Sequence, residues 1–348
     1  MGYNRVATPR AYIDLINFNL AHGWSAASNI TVLQDDGSTA VTFDAGTKES
    51  MFDLRPANYA QIAHDTQAFY IQYDTEFSTD ALAESNFLAI LGHNFADADA
   101  VFKVQIDDAS DMGSATTVST TGSHTKVINA AADAASGYID PANNGWTLIT
   151  WSTQTSDNRY VRLTIEDDSG TGSTFNEHVQ IGAILYGEYI DFPSSPDLSV
   201  QTSINYDSTK LQSSVGGNTY ANTASFGQPK WAATIPWKNS TSTGSETYSF
   251  NHRYGRINHQ MNFSYITDTD LFPANHSGAA SDWFDSSDLH SQFYQKIIGQ
   301  HNPFLFAIDK DSPTEGDYGL FRLADSGLNA TQVANRTWSM GLNLVETW

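Results

Sequence analysis

The chain has 348 residues, 39 acidic and 17 basic side chains, a formal net charge of −22 and no cysteine. Disulfide frameworks, thiolate metal sites and cysteine nucleophiles are therefore excluded, and the charge opposes nucleic-acid binding, which needs Lys and Arg at the phosphates. Hydrophobic residues at 40% can fill sizeable cores, while charged residues at 16% fall below the usual ~25%, so Ser, Thr, Asn, Gln and Gly must make the surface polar.

The length suggests about two domains. Residues 1–24 read as an N-terminal arm. They lack an apolar stretch after the first basic residue and do not read as a signal peptide. Within them, residues 12–22 fit two periods: Ile16, Phe18 and Leu20 alternate like a strand, while Ile13, Ile16 and Leu20 suit a helix. From about residue 25 to 188 the dominant period is two. Phe69, Ile71, Tyr73 and Phe77 share one strand face, as do Phe102, Val104 and Ile106, and Val161, Leu163 and Ile165. Phe87-Leu88-Ala89-Ile90-Leu91 reads as a central strand, and no apolar run in the chain exceeds its five residues, far too few to span a bilayer. Residues 181–186 read likewise. Asp35-Asp36-Gly37 and Asn143-Asn144-Gly145 mark tight turns. This spacing predicts a β-sandwich over residues 1–188.

A boundary is expected after Gly187, where Phe192-Pro193-Ser194-Ser195-Pro196-Asp197 interrupts any ladder. Residues 189–348 read as a second, β-rich domain. It opens with polar arms over about 199–250. Ile257, Met261, Phe263 and Tyr265 then share one strand face. Leu289, Phe293 and Ile297 recur at helical spacing within 286–298, with Ser286 or Ser287 as cap and Gly299 as stop. Strands follow at 304–308 and 318–323, and a last one places Trp338, Met340, Leu342 and Leu344 on one face. The fold class is all-β.

Catalytic patterns are missing. No His-Glu-x-x-His pair, phosphate loop or Gly-x-Ser-x-Gly elbow occurs, and Gly170-Thr171-Gly172-Ser173 has the wrong spacing. The loop from Asp309 lacks the glycine and the closing glutamate of an EF-hand. Asp107-Asp108 and Asp167-Asp168 read either as calcium loops or as solvated turns. No catalytic residue, cofactor or metal ligand is assigned, and the chain is not read as an enzyme. The candidate carbohydrate contacts are Trp24 and Trp146, whose rings could stack on sugars, with His93 and Asn94 beside them. Trp151 belongs to a core. His93 and Asn94 have a second reading, as groups that satisfy backbone donors and acceptors at a strand end.

Several segments resemble virion structural proteins of tailed bacteriophages: Pro9-Arg10-Ala11-Tyr12-Ile13-Asp14, Asn86-Phe87-Leu88-Ala89-Ile90-Leu91-Gly92-His93-Asn94, Arg159-Tyr160-Val161-Arg162-Leu163-Thr164-Ile165 and Gln180-Ile181-Gly182-Ala183-Ile184-Leu185-Tyr186-Gly187. Gly227-Gln228-Pro229-Lys230-Trp231 and Asn302-Pro303-Phe304-Leu305-Phe306 extend the resemblance into the second half. It implies an N-terminal galactose-binding-like jelly-roll and a tail, baseplate or tail-tip adaptor, made in the host cytoplasm and located in the virion. The implied partners are copies of itself, other virion proteins and a host-surface glycan, without nucleic acid or membrane insertion. A carbohydrate-binding module, a capsid decoration protein and a glycan depolymerase are the competing readings.

Overall fold

A computed structural model describes residues 7–56, 58–76, 84–132, 136–154, 159–169, 173–205, 211–221, 256–273 and 287–347. Phe77, Gly170 to Gly172, Trp231, most of the 199–250 arm and Ser286 lie outside them. The fold is all-β, with short helical turns between antiparallel strands.

In the first half two sheets face each other. Ile30–Gln34, Phe69–Asp74, Tyr160–Asp167 and Ala100–Asp107 are successive neighbours in one; Ala183–Asp191, Ser85–His93, Gly145–Gln154 and His124–Ile128 are successive neighbours in the other. The chain alternates between them, running from Phe69–Asp74 to Ser85–His93 to Ala100–Asp107, and later from Gly145–Gln154 to Tyr160–Asp167 to Ala183–Asp191. That is a jelly-roll path. The period-two residues meet in its core: Ile71, Phe102, Val104 and Leu163 face Leu88, Ile90, Ile149 and Trp151.

The second of these sheets does not stop with the jelly-roll. Arg10–Asp14 pairs with Ala183–Asp191 on one side and with Phe304–Ala307 on the other. Tyr318–Leu323, Thr337–Glu346, Arg256–Thr267 and Gln201–Asn205 continue the order to an edge, giving an 11-stranded sheet through both halves. The segment read as an N-terminal arm thus contains a strand buried at every residue. The two periods seen in residues 12–22 are two elements, since the Asp14 carboxylate ends the strand and caps the helix Leu15–Ala21 by accepting the Ile16 and Asn17 N–H groups. The boundary expected after Gly187 falls inside a strand. A Cβ at Gly187 would stand 2.3 Å from the Ile13 carbonyl oxygen, so glycine is what permits the close approach there.

One face of the long sheet carries two cores side by side. Beside the jelly-roll core lies a cluster of Ala11, Ile13, Phe192, Phe263, Phe304 and Phe306, covered by Leu289, Phe293 and Ile297. The helix expected over 286–298 is shorter and wider than an α-helix. Its regular part is the π-helical turn His290–Gln295, and Gly299 N–H reaches back to the Tyr294 carbonyl. Its cap is Asp288, which accepts the Ser291 N–H at 2.9 Å, in place of Ser286 or Ser287.

The opposite face encloses a third core of Tyr12, Phe87, Leu91, Trp146, Leu305 and Leu320. The strands bearing Trp146 and Tyr318 are five steps apart, about 24 Å across a flat sheet. Their rings are 5.5 Å apart. The sheet therefore rolls back on itself, and the Lys126 ammonium closes the roll by donating to the carbonyls of Lys310 and Ser312. A buried ion pair adds a second tie between the halves: Lys296 Nζ lies 2.9 Å from Glu188 Oε2.

Candidate functional site

The four expected sugar contacts do not form a site. Trp146 is only 4% exposed and packs inside the rolled sheet, so its ring is not offered to a ligand. Gly145 and Trp146 open a strand beside His93 and Leu91, which turns the indole inward where the Asn-Gly turn suggested a surface ring. Trp24 is half-buried against the jelly-roll core, 6.4 Å from the Tyr73 ring. His93 is 3% exposed, and burial pushes its imidazole down to about 3, so the ring is neutral. Its Nε2 meets Thr147 Oγ1 at 2.9 Å, and Nδ1 accepts the Phe95 N–H. Asn94 donates to the His178 carbonyl and accepts the Gln180 N–H. Both residues follow the second of their two readings and satisfy polar groups at a strand end.

The acidic loops hold their own backbone. Asp107 accepts the N–H groups of Ala109 and Ser114, and Asp167 that of Ser169. Among the described residues no three His, Asp or Glu side chains are placed to hold a metal ion.

An open groove and an exposed aromatic ring lie at the far end of the long sheet. Met261, Phe263 and Ile266 of Arg256–Thr267 are buried, so Gln260, Asn262 and Tyr265 lie on the outer face. Tyr265 was expected on the core face. A bulge reverses it: Phe263 pairs with Met340 and Ile266 with Trp338, leaving Ser264 and Tyr265 opposite Ser339 alone. Tyr265 has φ +65° and is 79% exposed. Across the same face Gln201, Gln260 and Asn343 stand in register on three neighbouring strands, followed by Ser203, Asn258 and Val345. Here a groove of about 630 Å³ opens, lined by Gln201, Ser203, Asn258, His259, Gln260 and Asn343 among others, with no Asp, Glu, Lys or Arg in the lining. Burial lowers the His259 imidazole to about 4, and Nδ1 meets Thr202 Oγ1 at 3.0 Å, so this ring is also neutral. The Asn343 amide donates to Asp325 at 2.6 Å. Asn258 Oδ1 is enclosed and has no hydrogen-bond donor among the described residues. Sequence periodicity could not show this site, because its rows join residues 201, 260 and 343.

An open edge strand borders this end. Gln201–Asn205 is the edge of the sheet among the described residues; all five residues are exposed, and none is charged or proline. Later in the chain, Leu211–Ser213 and Thr219–Ala221 form a separate two-stranded hairpin exposed at every strand residue, with Leu211, Val215 and Tyr220 open to solvent.

No family profile and no curated protein matches the chain. Solved structures similar over part of it include chitosan-binding module 1 of a chitosanase/glucanase from Paenibacillus sp. IK-5, at 16% identity over 46% of this chain and 93% of that one, TM-score 0.28. A GH29 fucosidase from Ruminococcus gnavus gives 17% identity over 47% and 26%, TM-score 0.29. A family 89 glycoside hydrolase from Clostridium perfringens gives 14% identity over 47% and 14%, TM-score 0.21. No helix among the described residues is long and apolar enough to cross a membrane.

Behind the groove, the core face carries one buried acid. Glu346 accepts the Ile257 N–H at 2.8 Å, and burial pushes its carboxyl up from 4.5 to about 7, against the pull of that bond and of Arg256. Between these two pH values the unfolded chain releases a proton that the folded chain keeps, so stability falls as pH rises through the window and the loss is complete above it. Glu346→Gln keeps an acceptor for Ile257 and removes the charge. The variant is expected to match the wild type near pH 4.5 and to exceed it at pH 8 by up to about 3 kcal/mol. Urea unfolding of both proteins at the two pH values checks this.

Proposed function

We propose that the protein is a non-enzymatic structural subunit of a tailed-bacteriophage virion, of the tail or baseplate class, that assembles with copies of itself and with other virion proteins. The observation that carries the assembly part is the Leu211–Ser213 and Thr219–Ala221 hairpin, exposed at every strand residue. A two-stranded hairpin is marginal in water unless something packs on it. Exposed Leu211, Val215 and Tyr220 are the side chains such packing would bury. The edge strand Gln201–Asn205 supports the same reading, since a neutral, proline-free edge is a template for pairing with another chain. The virion address is taken from the resemblance of the strand segments to phage structural proteins. A low charged fraction suits this role, because charged side chains are depleted at the centres of protein interfaces. Mass spectrometry of purified virions from a phage encoding the chain tests the address. Recovery at a fixed stoichiometry relative to the tail proteins is expected; absence from intact particles contradicts it.

A further inference from the structure

We propose that the outer-face groove at the end of the long sheet binds a neutral oligosaccharide, with Tyr265, farther along the same strand, as the stacking platform. The inference is independent of the assembly reading and rests on four observations.

The first is charge. In a chain of net charge −22, the residues lining the groove are all uncharged, and its one histidine is kept neutral by burial. An anionic ligand finds no cation there, and a cationic one finds no lining carboxylate; Asp325, at the rim, is held by the Asn343 amide. The second is the hydrogen-bonding inventory. Gln201 and Gln260 present exposed amides that each donate and accept, and Ser203 adds a hydroxyl. This is the complement of a surface dense in hydroxyl groups, which also donate and accept. The third is an unmet acceptor. Asn258 Oδ1 is enclosed without a donor among the described residues, a state that costs free energy unless a donor such as a ligand hydroxyl reaches it.

The fourth is Tyr265. A bulky residue in the left-handed region costs about 1–2 kcal/mol, and its ring recovers little by burial, being 79% exposed. The bulge thus holds an aromatic face out on the same side as Gln260 and Asn262. Tyr265 stands about 16 Å along the strand from Gln260, so one extended ligand of several sugar units can lie on the ring and reach the amides. Aromatic rings with an apolar face and a polar tip suit sugar faces in the same way that they suit wet interfaces. The groove volume of about 630 Å³ falls within the range of small-molecule sites.

The test is a glycan array probed with the full chain, followed by calorimetric titration of a neutral array hit into the wild type and three variants. Asn258→Ala and Gln260→Ala remove the amides, and Tyr265→Gly removes the ring while fitting the left-handed backbone. Binding to neutral glycans, unchanged by added salt, is expected, with each variant weakened about tenfold or more, as befits loss of one good contact. Unfolding curves and oligomeric state of the variants serve as controls; a variant that fails to fold is replaced by Gln260→Leu, at an exposed position. An array without neutral hits overturns the inference. So does affinity that survives all three substitutions, or binding confined to charged glycans and lost in salt. A silent array with an intact oligomer removes this inference alone, while a monomer that still binds removes the assembly reading alone.

Discussion

Lys296→Ala is expected to lower the unfolding free energy by about 3–5 kcal/mol. Lys296 is fully buried, and its ammonium sits 2.9 Å from Glu188 on the strand Ala183–Asp191, with Gln292 as a second acceptor. Truncation leaves a largely buried carboxylate without its cation and opens a void at a fully buried position. The pair joins a strand of the jelly-roll to the helical turn of the second half, so its loss should loosen both together. Replacing the pair by apolar groups, Lys296→Met with Glu188→Leu, should recover most of the loss, because the desolvation of both charges disappears with them. Urea unfolding followed by tryptophan fluorescence measures both variants. A single-variant effect below about 1 kcal/mol would mean that the two halves do not depend on this contact.

Trp146→Ala is expected to cost about 3–5 kcal/mol, the usual range for an aromatic removed from a core. The indole fills the interior of the rolled sheet between Leu91, Leu148 and Tyr318, at a point where strands five steps apart meet. The void cannot close without unrolling the sheet. Trp146 is nevertheless expected to leave glycan affinity per folded molecule unchanged, since it faces no groove. Trp24→Ala should cost less, because the ring is only half-buried. A Trp146 variant with wild-type stability and lost sugar binding would restore the indole to the surface role that its neighbouring Asn-Gly turn first suggested.

The two halves of the chain differ in how far their sequence discloses them. In the jelly-roll, strands with one face in a core alternate cleanly, and Phe102, Val104 and Ile106 or Val161, Leu163 and Ile165 announce their face directly. Arg10–Asp14 is covered on both faces and alternates with nothing, so it read as an arm. Its partners, residues 187–191 and 305–307, are separated from it by most of the chain, and no local pattern encodes that pairing. The Tyr265 reversal has a single cause: one extra residue at a positive-φ bulge exchanges the faces of everything beyond it. The aromatic candidates failed for a related reason. An indole next to a turn can point either way, and the register of Gly145–Gln154 against Ser85–His93 turns Trp146 in. The surface character, by contrast, was legible from composition. Few charges and many amides and hydroxyls reappear as the neutral edge strand, the open hairpin and the uncharged groove.

That surface makes the oligomeric state the most direct measurement of the central claim. Sedimentation velocity of the purified full chain over a wide concentration range should give one discrete, symmetric oligomer. The double variant Leu211→Asp with Tyr220→Asp should shift it towards monomer while its unfolding curve stays that of the wild type, because both side chains are exposed within the subunit. A wild type that remains monomeric at every concentration, or an oligomer indifferent to charge placed on the hairpin, would contradict the account.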